Sequence, residues 1–440
     1  MKTSFILMGL LALLAATCSA ETVKDREGAV RGDKAALEND PRWNYNDIDA
    51  GFRLAKTTGK PLLVVLRCVP CMSCAGMDAG VLQDESLKAL LDQFVCVRVI
   101  NANALDLTRF QFDYDLSLTG IVFNGDGTVY GRFGSWTHQK DPLNKSVSSF
   151  QKALQAALDV HKGYPGNKAA LSGKQPVATP FRTPVEFPTL ATKYGSKLDW
   201  EGKVVQSCVH CHMIGDAMRA HHRTEGRPMP LELVYPHPTP DVLGLKLAAD
   251  EIAKVEEVAP QSIAAKAGLK PGDEIVAMEG QPLISTADFS HVMHRAPAAG
   301  SLKAAVKRGG GTEELTLVLP GGWRVQTDIS KRVGTWPMRA MAFGGMHMVD
   351  LTDEERAAKG LTKEQLALHI DHVGQYGPHA MAKKAGFQKG DILVHVDDLD
   401  SRMTEGQLIG HLLVSHQPGE KIPATVLRGG KKVQLEMPQQ

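Results

Sequence analysis

Three of the seven cysteines lie close together in the sequence, at Cys68, Cys71 and Cys74. An apolar, strand-like run at residues 62–66 precedes them, and a helix-like stretch at residues 81–91 follows. At the start of a helix, backbone N–H groups and the helix dipole stabilise a thiolate, which can attack a disulfide while a second cysteine resolves the mixed disulfide. The pattern therefore predicts a redox-active dithiol. Two alternatives stay open, because the same thiols could bind a metal with a fourth ligand or form a structural disulfide.

A second cluster has the sequence Cys208-Val-His-Cys211-His212. Two thiols at this spacing can add to the vinyl groups of a haem, and the adjacent imidazole can become an axial ligand of the iron. Zinc and a second disulfide are the alternatives, and zinc would need further ligands nearby. The candidates for the sixth iron ligand follow within about 20 residues: Met218, His222 and Met229. The motif therefore predicts haem c in a short helical segment, with His212 on the iron.

The start of the chain predicts export. Lys2, an apolar run at residues 5–16 and small residues up to Ala20 are typical of a secretory signal peptide at residues 1–20. A lipoprotein signal with an acylated Cys18 is the alternative, which the residues before that cysteine fit poorly. No later stretch is apolar enough to span a membrane, so no transmembrane segment is expected in the mature chain. The predicted location is the periplasm, where disulfides persist.

Length and composition limit the protein classes. At 440 residues the chain can form about three domains. Its 50 basic and 49 acidic residues lack the basic excess of a nucleic-acid-binding protein, so no nucleic-acid partner is expected. A hydrophobic content of 43% excludes wholesale disorder.

The chain divides into blocks of different composition. Residues 41–162 alternate helix-like and strand-like runs, and a Pro-rich linker is predicted at residues 163–200. The Cys/His segment occupies residues 201–240. The segment Ala-Gly-Leu-Lys-Pro-Gly-Asp at residues 267–273 recurs in related form 118 residues later, which predicts two copies of one domain, at residues 241–320 and 321–438. The predicted fold class is a multidomain chain, α/β at first and mostly β afterwards.

Residues 41–135 resemble a branch of the thioredoxin-like proteins. The resemblance rests on Gly-Lys-Pro, a strand, a Cys-x-x-Cys pair and a following Met-Asp. It implies that Cys71 is the nucleophile and Cys74 the resolving cysteine, with Cys68 as an accessory thiol and no cofactor needed in this domain. The sequence departs from the family at Pro70, which replaces an aromatic residue, and at Thr119, which stands where the family has the cis-proline that shapes its substrate groove.

The two repeated segments resemble the PDZ domains of bacterial periplasmic proteases. The resemblance implies that a peptide C-terminus adds as a strand, while the backbone at Leu243, Gly244 and Leu245 holds its carboxylate. A purely scaffolding role is the alternative. We find no Gly-x-Ser-x-Gly motif and no glycine-rich segment around a serine, so the sequence predicts that the chain is not a protease.

The whole arrangement resembles a planctomycete-type family that joins a thioredoxin-like domain to PDZ modules and includes selenoproteins. The expected function is an exported thiol–disulfide oxidoreductase that also transfers electrons through haem, with PDZ modules that recruit peptides and periplasmic redox partners. The alternative is a non-enzymatic PDZ adaptor whose cysteine motifs are structural or bind metal, as in a metallochaperone.

Overall fold

The computed structural model describes residues 25–67, 69, 82, 84–116, 118–135 and 147–440. The predicted signal peptide at residues 1–20 lies outside the described residues, and so do Cys68, Cys71 and Cys74. The roles given to these cysteines therefore stay predictions as far as the structure is concerned.

The first domain is a five-stranded mixed sheet with helices on both faces. A 3₁₀ turn at Glu85–Leu87 precedes its third helix. The strand order is β1-β3-β2-β4-β5, in which the first three run parallel and the last two antiparallel. In chain order its elements are α1 (Arg26–Leu37), β1 (Trp43–Tyr45), α2 (Ile48–Thr58), β2 (Leu62–Arg67), α3 (Lys88–Leu91), β3 (Val95–Val99), β4 (Leu118–Phe123), β5 (Val129–Ser135) and α4 (Val147–Lys162).

Strand β2 is buried on both faces, as its continuous apolar sequence predicts. Successive side chains of a strand point to opposite faces of the sheet. Accordingly, Leu63 and Val65 pack into one core with α4, while Leu62 and Val64 pack into the other. This double burial fixes the C-terminal end of β2, at Arg67, within the sheet.

Helix α2 lies against the sheet at a glycine. It begins after Asp47, whose Oδ1 accepts the N–H of Ala50 at 2.8 Å, and it ends at Gly59, which has a φ of +69°. A Cβ on Gly51 would lie only 2.2 Å from Cγ2 of Val97 in β3. The short distance between helix and sheet therefore depends on this glycine.

We expect Gly51→Ala to lower the free energy of unfolding by about 1–3 kcal/mol, because an overpacked core forces its neighbours to shift. Urea denaturation measures the change. Gly32→Ala in α1 is the control, since nothing lies within 4 Å of a Cβ there and alanine favours the helix by up to about 1 kcal/mol. Equal destabilisation by both substitutions would contradict the role of Gly51.

The residues between the first domain and the repeats are packed against both. In the stretch predicted as a Pro-rich linker, Phe187 and Leu190 belong to a core of the first domain. Short 3₁₀ helices at Lys168–Lys174 and Pro184–Glu186 lead to α5 (Pro188–Ala191), which is followed by α6 (Cys211–Thr224) and α7 (Leu231–Val234). Helix α6 packs on the first domain, and α7 packs on the last one.

The first repeat, residues 241–320, is β-rich. A 3₁₀ helix at Pro240–Leu243 leads into it. It contains a two-stranded sheet, β6-β7, and a four-stranded sheet in the order β11-β10-β8-β9. Its elements are β6 (Leu245–Leu247), β7 (Val255–Val258), α8 (Ile263–Lys266), β8 (Glu274–Met278), β9 (Gln281–Pro282), α9 (Thr286–Arg295), β10 (Gly300–Arg308) and β11 (Gly311–Leu319).

The second repeat, residues 321–438, has one antiparallel sheet in the order β12-β13-β14-β15-β16. Short 3₁₀ helices lie at Trp323–Gln326 and Gly377–Ala380. Its elements are α10 (Thr335–Phe343), β12 (Met346–Asp350), α11 (Asp353–Ala358), β13 (Leu368–Val373), α12 (Met381–Lys384), β14 (Ile392–Val396), α13 (Glu405–Ser415), β15 (Lys421–Arg428) and β16 (Lys431–Pro438).

The repeated Gly-Asp has the same structural role in both copies. Asp273 receives two hydrogen bonds from Arg308, at 2.7 and 2.6 Å, and these lower the pKa of its carboxyl group. Asp391 receives the matching pair from Arg428, both at 2.7 Å. Bidentate contacts of this kind fix geometry strongly. The duplication read from the sequence is therefore a structural duplication too.

The architecture is mixed α/β in the first domain and β-rich in the repeats, as predicted. Among the helices of the described residues, none has both the length and the apolar character that a membrane span requires.

Candidate functional site

The predicted carboxylate-binding residues, Leu243, Gly244 and Leu245, form the turn that enters β6. Both leucine side chains are buried in the core of the first repeat. The N–H of Gly244 donates to the carbonyl oxygen of Asp241 at 2.8 Å, and its carbonyl oxygen accepts the N–H of Ala259 at 2.8 Å. Gly244 has a φ of +80°, and a Cβ there would lie 2.2 Å from Cβ of Ser262. Only glycine fits this conformation and this close approach.

Strand β6 and helix α9 line a common cavity of about 580 Å³. The strand contributes Leu245–Leu247, and the helix contributes Thr286, Ala287 and Ser290. The volume is within the range of ligand pockets, about 300–1,000 Å³. In the described sheets β6 pairs with β7 alone, so its other edge is open to an added strand. We call this cavity the first groove.

The first domain supplies another wall of the first groove. Thr119 of β4 and Phe133 of β5 line it, together with Ser149 of α4. The Oγ1 atom of Thr119 is buried and has no hydrogen-bond partner, a costly condition for a hydroxyl unless water or a ligand satisfies it. Thr119, which the sequence analysis placed at a redox site, therefore lies in the wall of the first groove.

Helix α9 is held against the first domain by buried polar contacts. The hydroxyl of Ser285, just before the helix, donates to the carbonyl oxygen of Arg132 at 2.5 Å. The N–H of Arg132 donates to Asp288 at 2.9 Å, and the ammonium group of Lys174 lies 2.5 Å from the same carboxylate. These contacts fix the helical wall of the first groove relative to the wall from the first domain.

The equivalent groove of the second repeat, between β12 and α13, is closed by residues of the same repeat, and we call it the second groove. Helix α10 contacts both β12 and α13, the two elements that correspond to β6 and α9. Glu405, at the start of α13, accepts the backbone N–H of Met348 in β12 at 2.8 Å. Arg339 of α10 holds that carboxylate through two nitrogens, at distances of 2.6 to 3.0 Å. A backbone donor that an added strand would use is therefore already bound.

The two grooves differ in sequence at one position of their helices, which the motifs do not include. The first helical residue after the N-cap is Thr286 in the first repeat and Glu405 in the second. A carboxylate at this position can reach a backbone donor of β12, and Arg339 of α10 supplies the positive charge that binds it. Only the structure shows that the two meet.

The Cys-x-x-Cys-His segment is packed against the first domain. Cys208 is 5% exposed, its sulfur lies 3.7 Å from the carbonyl oxygens of Ile100 and Val209, and burial raises its pKa to about 12. Cys211 begins α6, and Nδ1 of His212 lies 3.7 Å from Asp216.

The described part of this segment does not fit a haem. The sulfur of Cys208 is enclosed, so a vinyl group has no access to it. The described residues beside Cys211 leave a cavity of only about 10 Å³, roughly the space of one water. The predicted sixth ligands also diverge. Met218 and His222 line a different cavity whose described lining does not include His212, while Met229 is buried in the core of the second repeat.

That second cavity, of about 250 Å³, lies where α6 and α9 meet the first domain. The imidazoles that line it are His221, His222, His237, His291 and His294. The rings of His237 and His294 stack with centroids 4.2 Å apart, and neither ring nitrogen of His291 has a hydrogen-bond partner. Burial lowers the pKa of His237, His291 and His294 well below 6.5, so these rings are neutral at pH 7.

Comparison with family models identifies two domains. Residues 43–123 match a thioredoxin-like family, and residues 254–308 match the PDZ domain. The predictions of a thioredoxin-like domain and of a PDZ domain in the first repeat are confirmed. A PDZ domain in the second repeat stays a prediction. The matches give no support to the planctomycete-type selenoprotein family, to the haem motif or to redox partners.

Several curated relatives are bacterial serine proteases. A protein of Pseudomonas fluorescens described as a probable periplasmic DegP-like serine endoprotease is 25% identical over 186 residues, which are 42% of this chain and 37% of that protein. A relative of the same description in Pseudomonas savastanoi is 28% identical and covers 41% of this chain and 36% of its own. A protein of Buchnera aphidicola described as a probable serine protease do-like is 28% identical, over 35% of this chain and 28% of that protein. The chain spans about a third of the length of the relatives it matches.

Solved structures of a similar kind are also found. An HtrA-type protease, AlgW, with a decapeptide is 21% identical and covers 31% of this chain and 44% of its own, with a TM-score of 0.20. A serine-to-alanine variant of the same protease with a decapeptide is also 21% identical and has a TM-score of 0.21. The match covers 31% of this chain and 40% of that chain.

The relatives correct the predicted function. They are named as serine endoproteases, so the expected thiol–disulfide and haem electron-transfer function is wrong, and so is its alternative of a non-enzymatic adaptor or metallochaperone. The prediction that the chain is not a protease is contradicted by the same proteins. Their periplasmic names agree with the predicted location.

Proposed function

We propose that this protein works in periplasmic protein degradation and that its first groove captures extended peptide segments. The open edge of β6, opposite α9 across a cavity of about 580 Å³, carries the proposal. A peptide that adds to this edge gains backbone hydrogen bonds, and its carboxylate reaches the turn at Gly244. The names of the DegP-like relatives support the link to proteolysis.

The second groove is not part of the proposed capture site. Glu405 binds the N–H of Met348, and Arg339 holds Glu405 in place. A peptide would have to break a buried ion pair before it could pair with β12, and such a pair is costly to break. Peptide binding is therefore assigned to the first repeat, with one peptide per chain.

The first groove also limits what can bind. Its wall from the first domain includes the apolar ring of Phe133 and the hydroxyl of Thr119. A segment that enters therefore contacts two domains, and an apolar side chain next to a hydrogen-bonding group suits this wall. Extended C-terminal segments of unfolded envelope proteins are the proposed substrate class.

We expect Ala287→Trp to weaken peptide binding at least tenfold, because the indole fills the space between α9 and β6. Fluorescence anisotropy of the full chain with labelled peptides that end in an apolar residue measures the dissociation constant.

The matched control is Lys266→Trp on α8, an exposed position of the same repeat outside the lining of the first groove. It should bind peptide as the wild type does. Amidation of the peptide C-terminus should weaken binding, because the turn at Gly244 then has no carboxylate to hold. Equal affinity of the wild type and Ala287→Trp, in a correctly folded protein, would overturn the assignment of the groove.

A further inference from the structure

Asp397, His411 and His416 bring three potential metal ligands together in the second repeat. The Nε2 atom of His411 and the Nε2 atom of His416 each lie 2.9 Å from the same oxygen, Oδ2 of Asp397. All three ligand atoms lie within 4.8 Å of one another. Tetrahedral zinc with bonds of about 2.0–2.1 Å needs ligand atoms roughly 3.3 Å apart, so small side-chain rotations would suffice.

Two elements, helix α13 and the turn after β14, hold these side chains in place. His411 lies on α13, His416 is the C-cap of that helix, and Asp397 follows β14 in a turn with a φ of +57°. The backbone carbonyl of His416 accepts a hydrogen bond from Arg223 of α6 at 2.7 Å. The ligands therefore come from a fixed helix end and a tight turn rather than from mobile surface side chains.

Glu420 supplies the outer support that metal-binding histidines usually have. Its Oε2 lies 2.7 Å from Nδ1 of His416. When Nδ1 donates to this carboxylate, the lone pair of Nε2 is available to a metal. The carboxylate of Glu420 also interacts electrostatically with the guanidinium group of Arg223.

We propose that Asp397, His411 and His416 form a zinc-binding site, with a water molecule in the fourth position. Two imidazoles and one carboxylate are a donor set typical of zinc sites that keep one open position. The three side chains are 15–29% exposed, so the ion and its water can reach them from solvent.

The bound ion would join the end of α13 to the turn after β14. Helix α13 carries Glu405 at its other end, which closes the second groove. Zinc would thus stabilise the closed second repeat by binding the folded chain and not the unfolded one.

Zinc content of the full chain after equilibrium dialysis, measured by mass spectrometry, tests the site. We expect His416→Ala and His411→Ala each to lose one equivalent of zinc relative to the wild type. Asp397→Asn should lose it too, and asparagine tolerates the positive φ of this turn. Any zinc bound by the cysteines contributes equally to the variants and the wild type, so it does not affect the difference in zinc content between them.

Two further measurements separate ligation from folding. Glu420→Gln should weaken zinc affinity about 10- to 100-fold and leave the stoichiometry at saturation unchanged. Added zinc should raise the melting temperature of the wild type but not that of Asp397→Asn. Cobalt in the wild type should show the visible bands of a site with nitrogen and oxygen ligands.

The matched control is His395→Ala on β14, a half-buried histidine of the same sheet outside the cluster. It should keep the full zinc content. Wild-type zinc content in folded Asp397→Asn and His416→Ala would place the ion elsewhere and overturn the proposal.

Discussion

Asp288→Ala is expected to lower the free energy of unfolding by about 3–5 kcal/mol, because it leaves the ammonium group of Lys174 as a buried charge without its partner. The two groups lie 2.5 Å apart and both side chains are 1% exposed. Asp288 also accepts the backbone N–H groups of Arg132 and Ile284, at 2.9 and 3.2 Å. The substitution therefore removes the contact with Arg132 of the first domain, the ion pair with Lys174 between the first domain and the repeats, and a contact within the first repeat itself. Urea denaturation and peptide affinity should both respond.

An exposed ion pair between the same two domains provides the control. Lys152 of α4 and Glu251 of the first repeat lie 2.7 Å apart but are 39% and 36% exposed. Glu251→Ala should therefore cost no more than about 1 kcal/mol. The double variant Lys174→Met with Asp288→Leu should recover part of the loss, since it leaves no unpaired charge. A loss from Asp288→Ala as small as that from Glu251→Ala would show that the buried pair does not hold the domains together.

Local patterns were sufficient to predict the elements of the fold. The apolar run of β2 predicts a strand that is buried on both faces, because consecutive side chains in it are apolar. In the structure, other elements of the fold cover both faces of the sheet. The repeated Gly-Asp predicts a duplicated domain, and the matching arginines, Arg308 and Arg428, make the same contacts in both copies.

The candidate site could be predicted only in part. The turn at Gly244 was identified because its glycine and flanking leucines resemble a known loop. The wall from Thr119 could not be identified, because β4 and β6 are distant in sequence and meet only through the docking of α9. The closure of the second groove by Arg339 and Glu405 depends on a tertiary contact between α10 and α13.

The prediction of haem illustrates what spacing leaves out. Cys-x-x-Cys-His specifies donor atoms and their separation along the chain, but not their exposure. In the structure the sulfur of Cys208 is enclosed by the carbonyl oxygens of Ile100 and Val209. A buried thiol of this kind packs as a small apolar group, and its burial cannot be predicted from the spacing of the motif.

Acidification should destabilise the protein strongly through its buried imidazoles. The folded-state pKa values of His237, His291 and His294 lie well below 6.5, chiefly because of burial. Nearby positive charges also oppose protonation of these rings, and they belong to Arg132, Arg295, Arg324 and Arg332. The carboxylate of Asp113 is paired with Arg332. As pH falls through 6.5 the unfolded chain binds protons that the folded chain does not, so stability falls.

Between pH 7.5 and 5.5 each ring can lower the stability by at most about 1.4 kcal/mol, and the three together by at most about 4 kcal/mol. His291→Phe tests this value, because neither nitrogen of His291 has a partner to lose. At pH 7.5 the variant should be at least as stable as the wild type, and at pH 5.5 its advantage should grow, by at most about 1.4 kcal/mol. Ser290→Ala, on the same helix and without a titrating group, should leave the difference between the two pH values unchanged. Equal pH dependence of His291→Phe and the wild type in urea denaturation would mean that His291 takes up its proton in the folded chain.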